Sequence, residues 1–129
     1  MKPDVIVVDD DPSARFFSTL QLSKAGYDVE EADCLMEARE CLSRKRFNAL
    51  ILDLGLPDGN GIDWIARFKK DYPAMAVIVV TGQQEPEVRN EAIRRGADGF
   101  FLKPVCAEDL LEFVRRTVLH DRSSSNEGE

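Results

Sequence analysis

Phe47-Asn48-Ala49-Leu50-Ile51-Leu52-Asp53 is a short apolar run that ends on a carboxylate, and Gly55-Leu56-Pro57-Asp58-Gly59-Asn60-Gly61 opens into a loop just beyond it. A continuous run of this length bounded by turn residues suits a strand buried on both faces, as in the middle of a parallel sheet. A carboxylate inside such a strand would be badly desolvated. At the carboxyl end it meets the sheet edge where open α/β folds collect ligands and chemistry. Val5-Ile6-Val7-Val8 is a second buried-strand run, and it ends in Asp9-Asp10-Asp11. Two adjacent strands of this kind bring three or four carboxylates to one edge. Like charges at that range raise each other's pKa unless a cation stands between them. Hard oxygen ligands point to a divalent metal, Mg²⁺ first and Mn²⁺ as the substitute.

The rest of the chain supplies alternating helices and strands. Pro12 and Ser13 start a helix in which Ala14, Phe17 and Leu20, with Phe16 beside them, recur at helical spacing through Ala25, and Gly26 stops it. Residues 27–32 read as a polar edge strand. Asp33 is placed to cap a second helix with Leu35, Ala38, Cys41 and Leu42 on its inner stripe. Ile62, Ile65 and Phe68 mark a third helix, stopped by Pro73. Residues 74–80 form another doubly buried strand, ending in Thr81-Gly82. Pro86 opens a fourth helix with thin apolar content (Val88, Ala92, Ile93), and Gly96 ends it. Residues 98–102 are a short fifth strand before Lys103-Pro104. A last helix from about Cys106 to His120 sets Leu110, Val114, Thr117 and Val118 inward. His120, the only histidine, reads as a solvated helix-end residue. Residues 1–121 are thus one domain, and 122–129 a flexible tail or linker start. Strict alternation predicts a doubly wound (βα)5 three-layer sandwich, a five-stranded parallel sheet with right-handed crossovers.

Composition narrows the function classes. At 129 residues there is room for one core, and a net charge of −7 argues against a nucleic-acid surface. No apolar run approaches the roughly 20 residues that cross a bilayer, and no signal-peptide pattern opens the chain. A cytoplasmic location with no membrane contact is the expectation. Three cysteines without metal-ligand spacing read as reduced structural thiols.

Strand ends therefore present Asp9 and Asp10, Asp53, Thr81 and Lys103 at one edge. A carboxylate attacking phosphorus needs its own charge and the phosphate's charge offset, which a metal and a lysine ammonium do, while a hydroxyl binds a third phosphoryl oxygen. No histidine, thiolate or other base stands in this set. Aspartyl phosphate formation is the chemistry it suits.

The motifs Val7-Val8-Asp9-Asp10, Leu52-Asp53-Leu54-Gly55-Leu56-Pro57, Gly59-Asn60-Gly61, Val79-Val80-Thr81-Gly82, Gly96-Ala97-Asp98-Gly99-Phe100 and Lys103-Pro104 occur in this order over nearly the whole chain. In that order they resemble the response regulator receiver domains of bacterial two-component signalling, and the chemotaxis regulator in particular. The resemblance implies a flavodoxin-like fold with sheet order 2-1-3-4-5. It implies that Asp53 is the phosphoacceptor, that Asp10 binds Mg²⁺ directly and Asp9 largely through water, and that the Gly55 backbone carbonyl is a further ligand. Thr81 and Lys103 would bind phosphoryl oxygens, with a cis bond before Pro104. Phe100 would be the aromatic that swings inward with Thr81, although packing explains that residue as well. The implied partners are a sensor histidine kinase or histidine phosphotransfer protein, an output domain or downstream protein on the face of the fourth helix, fifth strand and fifth helix, and a second receiver in a dimer. Such a protein turns over its own phosphate and no external substrate.

Gly55 stands where many relatives carry Asn or Met, which together with Gln83 bears on water access to the phosphoryl group. Phe100 replaces the commoner Tyr, so a hydroxyl that could bond outward is absent. Asp11 has no role in the family pattern and reads as a solvated carboxylate. Rival readings fit less well. A flavin-binding relative lacks its phosphate loop here, an aspartate-nucleophile phosphatase needs a second Asp where Gly55 stands, and an unphosphorylated interaction module would lack one of the acidic or basic groups. Whether the chain stands alone or belongs to a longer regulator is left open by the sequence.

Overall fold

A computed structural model describes the backbone of residues 2–127 and the side chains of residues 2–118. Five strands, β1 (Asp4–Val8), β2 (Asp28–Ala32), β3 (Ala49–Leu52), β4 (Ala76–Thr81) and β5 (Gly99–Leu102), form one sheet in the order β2-β1-β3-β4-β5. Every neighbouring pair is parallel. This is the doubly wound, flavodoxin-like sandwich that the alternation and the resemblance lead one to expect. Between the strands run α1 (Pro12–Lys24), α2 (Leu35–Arg44), α3 (Ile62–Asp71) and α4 (Pro86–Arg94), and α5 (Ala107–Glu127) follows β5. Two-residue strands, Gly55–Leu56 and Gly59–Asn60, make a small antiparallel hairpin after β3.

The strands sort their side chains by period two into two cores, one on each face. Ile6, Val8, Leu50, Leu52, Val77 and Val79 face α2 and α3, joined there by Ala38, Leu42, Ile65 and Phe68. Val5, Val7, Ala49, Ile51, Ile78 and Val80 face α1 and α5, meeting Leu22, Leu110, Val114 and Val118. Leu50 and Leu52 are fully buried, so β3 is the interior strand its sequence describes. At β5 the α5 helix comes so close that a Cβ on Gly99 would lie 2.6 Å from Phe113 Cζ. The Phe113 ring is also edge-on to Phe101, with centroids 5.6 Å apart. Gly26 and Gly96 stop α1 and α4 at φ of 101° and 112°, backbone that only glycine adopts without strain.

Three local readings are corrected. The inner face of α1 is carried by Ser18 and Leu22, whereas Phe16, Phe17 and Leu20 point outward, Phe16 being 64% exposed. Helix α2 is not capped by Asp33. Its Ncap position is Cys34, which makes no side-chain cap bond, and Asp58 of the β3–α3 loop accepts from Leu35 N (2.8 Å) and Met36 N (2.9 Å) instead. Helix α5 continues past His120 to Glu127, through part of the stretch read as a tail. The side chain of His120, the side chains of residues 122–127, and residues 128 and 129 lie outside the described residues. The three cysteines are free, with Cys41 buried and Cys106 exposed.

Candidate metal and phosphoryl site

Strand register builds the site. Val8 pairs with Leu52 and Leu52 with Val79, so the residues that follow β1 and β3 leave the sheet side by side. The ladder runs one step past the strands: Asp9 N donates to Ala32 O at 3.0 Å, Asp53 N to Val8 O at 2.9 Å, and Lys103 N to Thr81 O at 2.8 Å. Backbone bonds of the same kind as those in the sheet therefore fix three of the expected site residues. Asp9 and Asp53 are buried at 6% and 7% exposure, and Asp10 is exposed at the mouth.

One carboxylate oxygen from each of Asp9, Asp10 and Asp53 lies within 4.8 Å of the others. Lys103 Nζ reaches Asp9 Oδ2 at 2.9 Å and Asp53 Oδ2 at 3.1 Å. The remaining oxygens of the buried pair are held by amides: Asp53 Oδ1 accepts from Leu54 N at 2.7 Å and Asp9 Oδ1 from Asp11 N at 2.9 Å. Burial pushes the Asp9 carboxyl above its ordinary range, and the Asp53 charge adds to that. The hydrogen bonds from Lys103 and from the Asp11 amide pull the other way without winning. Burial also pulls the Lys103 ammonium down, yet its bonds to Asp9 and Asp53 outweigh this and hold its pKa above the usual lysine value. Three carboxylates meet only one ammonium here, an imbalance that a divalent cation would offset. The donors are all hard oxygens, so the residues fit Mg²⁺ or Mn²⁺.

Other expected residues fall around this centre. Thr81 is buried at the end of β4, its hydroxyl oxygen accepting from Gln83 N at 3.3 Å, which leaves the hydroxyl proton free to be donated. Gly55 is exposed where the hairpin begins, and a Cβ there would stand 3.7 Å from Gln83 Nε2. The side-chain amide of Gln83 therefore lies over the glycine. The Lys103–Pro104 peptide bond is cis. Phe100 is half-buried and packs on the α2–α3 side core, so it is not in the cluster itself.

Two residues of the neighbourhood have roles that the resemblance does not assign. Asp11 is the Ncap of α1, accepting from Ser13 N at 3.1 Å. The Asp-Pro-Ser order was the available signal for that. Arg15 Nη1 donates to Asp9 O at 2.7 Å while its Nε bonds Glu31 Oε1 at 2.9 Å, tying the acidic loop to β2. Nothing in the spacing of Arg15 and Glu31 marks that contact in advance. Among the described residues, no helix is long and apolar enough to cross a membrane.

Comparison with known proteins agrees with this geometry. Residues 5–115 match the family model of the response regulator receiver domain. The chain is 32% identical over 109 residues to the response regulator protein PilR of Pseudomonas aeruginosa, an alignment covering 84% of this chain and 24% of PilR. It spans about half the length of two further relatives, the transcriptional regulatory proteins PmrA of Pectobacterium parmentieri and PhoP of Escherichia coli O157:H7, each 30% identical to it. Among solved structures, a CheY-like receiver domain protein from Methanospirillum hungatei JF-1 superposes with a TM-score of 0.91 at 29% identity, covering 96% of this chain and 99% of that one. The beryllofluoride-activated NtrC4 receiver domain dimer gives 0.86 at 31% identity, covering 92% and 98%. With the acidic edge, the sheet order and the family match all in agreement, the chain belongs to the response regulator receiver domains of two-component systems.

Proposed function

We propose that this receiver takes a phosphoryl group onto Asp53 from the histidine of a sensor kinase or histidine phosphotransfer protein, and signals the change through the face formed by α4, β5 and α5. The observation that carries the reading is the shared ammonium: Lys103 Nζ holds Asp53 and Asp9 at once, inside a cluster of three carboxylates. Asp53 Oδ2 attacks phosphorus as the P–N bond to the donor imidazole breaks and the imidazole nitrogen keeps the electron pair. Asp10, Asp53 and the Gly55 carbonyl would hold Mg²⁺, with Asp9 largely through water, and the ion would supply positive charge against the carboxylates and the phosphate. Lys103 is placed to follow a phosphoryl oxygen, and the Thr81 hydroxyl to donate to another. The hydrogen bond that Leu54 N donates to Oδ1 keeps the other Asp53 oxygen fixed, so the nucleophile does not swing away. The domain acts on its own phosphate alone.

A groove of about 520 Å³ supports the donor's approach. It joins Asp9 and Lys103 to Ala14 and Phe17 of α1, and the outward Phe16 and Leu20 extend an apolar surface on that helix. A donor protein laid on α1 brings its histidine to the Asp53 edge. On the output side, Thr81 moving toward the phosphoryl group leaves space that the Phe100 ring can fill, which displaces α4. The same face is the one proposed for an output domain, a downstream protein or a second receiver, and residues 122–129 for the start of a linker.

Acetyl phosphate with Mg²⁺, followed by borohydride trapping and mass spectrometry, tests the assignment. The label is expected on Asp53, absent in Asp53→Asn and strongly reduced in Lys103→Ala. A label of wild-type size in Asp53→Asn would overturn the reading.

A further inference from the structure

A trench runs between α2 and α3, and none of the phosphoryl chemistry uses it. Two cavities of about 360 and 260 Å³ share Leu42, Asp71 and Tyr72, so the depression is continuous from Met36 at one end to Met75 at the other. Its floor is apolar: Leu42 and Phe68 are buried, while Met36 forms an exposed lip. Trp64 stands over it, with the guanidinium carbons of Arg39 and Arg67 at 4.7 and 5.8 Å from the ring centroid.

The charge of this trench runs against that of the molecule. Arg39, Arg67, Lys45 and Arg46 line it against Glu40 and Asp71, on a chain of net charge −7. Arg67 is matched by Asp71 and Lys45 by Asp4. Arg39 and Arg46 meet no carboxylate among the described residues. Arg39 is nevertheless preorganised, because its guanidinium already rests on the Trp64 ring and little rotamer freedom remains to be lost on binding. Unmatched cations around an apolar floor are complementary to a segment that is acidic on its flanks and apolar on one side. The two helices are 10 residues each, so the trench is about 15 Å long and holds roughly three turns of a partner helix.

We propose that the α2–α3 trench docks an acidic amphipathic helix of a partner protein, with Arg39 and Arg46 as its charge contacts, the Leu42–Phe68 floor as its apolar seat and Met36 as the lip. This surface is distinct from the α4–β5–α5 face and from the groove beside α1, and binding to it does not require phosphate on Asp53.

Trp64 is the only tryptophan, so its fluorescence reports the trench directly. The full chain, without a phosphodonor, is titrated with three probes: a capped Leu/Glu amphipathic helical peptide, the same peptide with lysine for glutamate, and polyglutamate. The Leu/Glu peptide is expected to shift Trp64 emission saturably. Arg39→Glu combined with Arg46→Glu should weaken it about tenfold or more, and added salt should weaken it too. Lys24→Glu, at the end of α1 on the other side of the sheet, should leave it unchanged. Arg39→Lys should fall between wild type and Arg39→Glu, since it keeps the charge and loses the planar stack. Thermal melts of each variant establish that these surface changes leave the domain folded. Equal binding of the lysine peptide would overturn the proposal, as would polyglutamate matching the amphipathic peptide, which would reduce the trench to a patch of charge. Absence of any saturable Trp64 response to the Leu/Glu peptide would overturn it as well.

Discussion

Asp58 shows how a single side chain can belong to two elements. It sits five residues beyond the phosphoacceptor, yet its two oxygens close the first turn of α2 through the amides of Leu35 and Met36. Those bonds hold its carboxyl below the ordinary aspartate range. In the unfolded chain the group reverts to a value near 3.9. The stabilisation is therefore fully present above pH of about 4 and is lost as the pH falls through the lower, folded-state value. Asp58→Ala is expected to cost about 1 kcal/mol at neutral pH, the usual loss for an N-terminal cap. Urea unfolding at pH 7 and again near pH 3 should show the gap between wild type and variant closing in acid. A gap of constant size would mean that the carboxylate charge is not what caps the helix. The convergence of Asp9, Asp53, Thr81 and Lys103 was legible in the sequence because each stands at the end of a strand or one step past it. The capping role of Asp58 was not, because it spans 23 residues and a local candidate, Asp33, stood in the expected place.

Among the elements, the strands were read more securely than the helices. A run such as Leu50-Ile51-Leu52 has only one way to be buried, inside a sheet covered on both sides. Helix α1 offers two apolar stripes, and the one with the larger residues lost. Ser18 and Leu22 face the sheet, and the aromatic pair Phe16-Phe17 is left outside, beside the groove that leads to Asp9. Periodicity cannot choose between stripes when both carry apolar residues at helical spacing. Helix α4 is the least anchored element: only Ala92 is fully buried, Val88 is half-buried and Ile93 is exposed. Arg95 compensates, just past its end, by donating to Ile62 O at 3.3 Å and approaching Asp63 Oδ1 at 3.6 Å on α3. Arg95→Ala is expected to raise amide exchange across residues 86–94 severalfold while leaving α2 unchanged. In beryllofluoride-treated wild type, exchange should change over residues 82–96 and around Phe100. Thr81→Ala should still accept phosphate yet lose that change. A resting α4 equally protected with and without Arg95 would remove the arginine from this account.

At the scale of the whole molecule, two cores share one sheet and the acidic edge lies between them. The arrangement keeps Asp9 and Asp53 buried next to each other, an electrostatic cost that Lys103 offsets only in part. A ligand that binds the folded state alone stabilises it by mass action. Mg²⁺ at one hundred times its Kd should therefore raise the unfolding free energy by about 2.7 kcal/mol. Calorimetry in chelator and in excess Mg²⁺ measures this directly. Asp10→Ala is expected to lose nearly all of the Mg²⁺ effect and, in chelator, to melt above wild type, because the exposed carboxylate only adds repulsion when no cation is present. A variant that melts lower than wild type in chelator would show that Asp10 serves the fold as well as the site.

The contact between Gly99 and Phe113 works as a keyway. Where every other residue of β5 carries a side chain, the strand is notched, and the ring of α5 sits in the notch at a distance no methyl group would allow. Phe101 closes one wall of it. A helix seated this way does not roll freely about its own axis. Under the proposed switch, displacement of β5 would carry it along like a lever fixed to a shaft, and a small shift at Phe100 would become a larger sweep along a 21-residue arm. Alanine at 99 would fill the notch, its Cβ 2.6 Å from Phe113 Cζ, so Gly99→Ala is expected to push the ring out of its seat and lower the melting temperature.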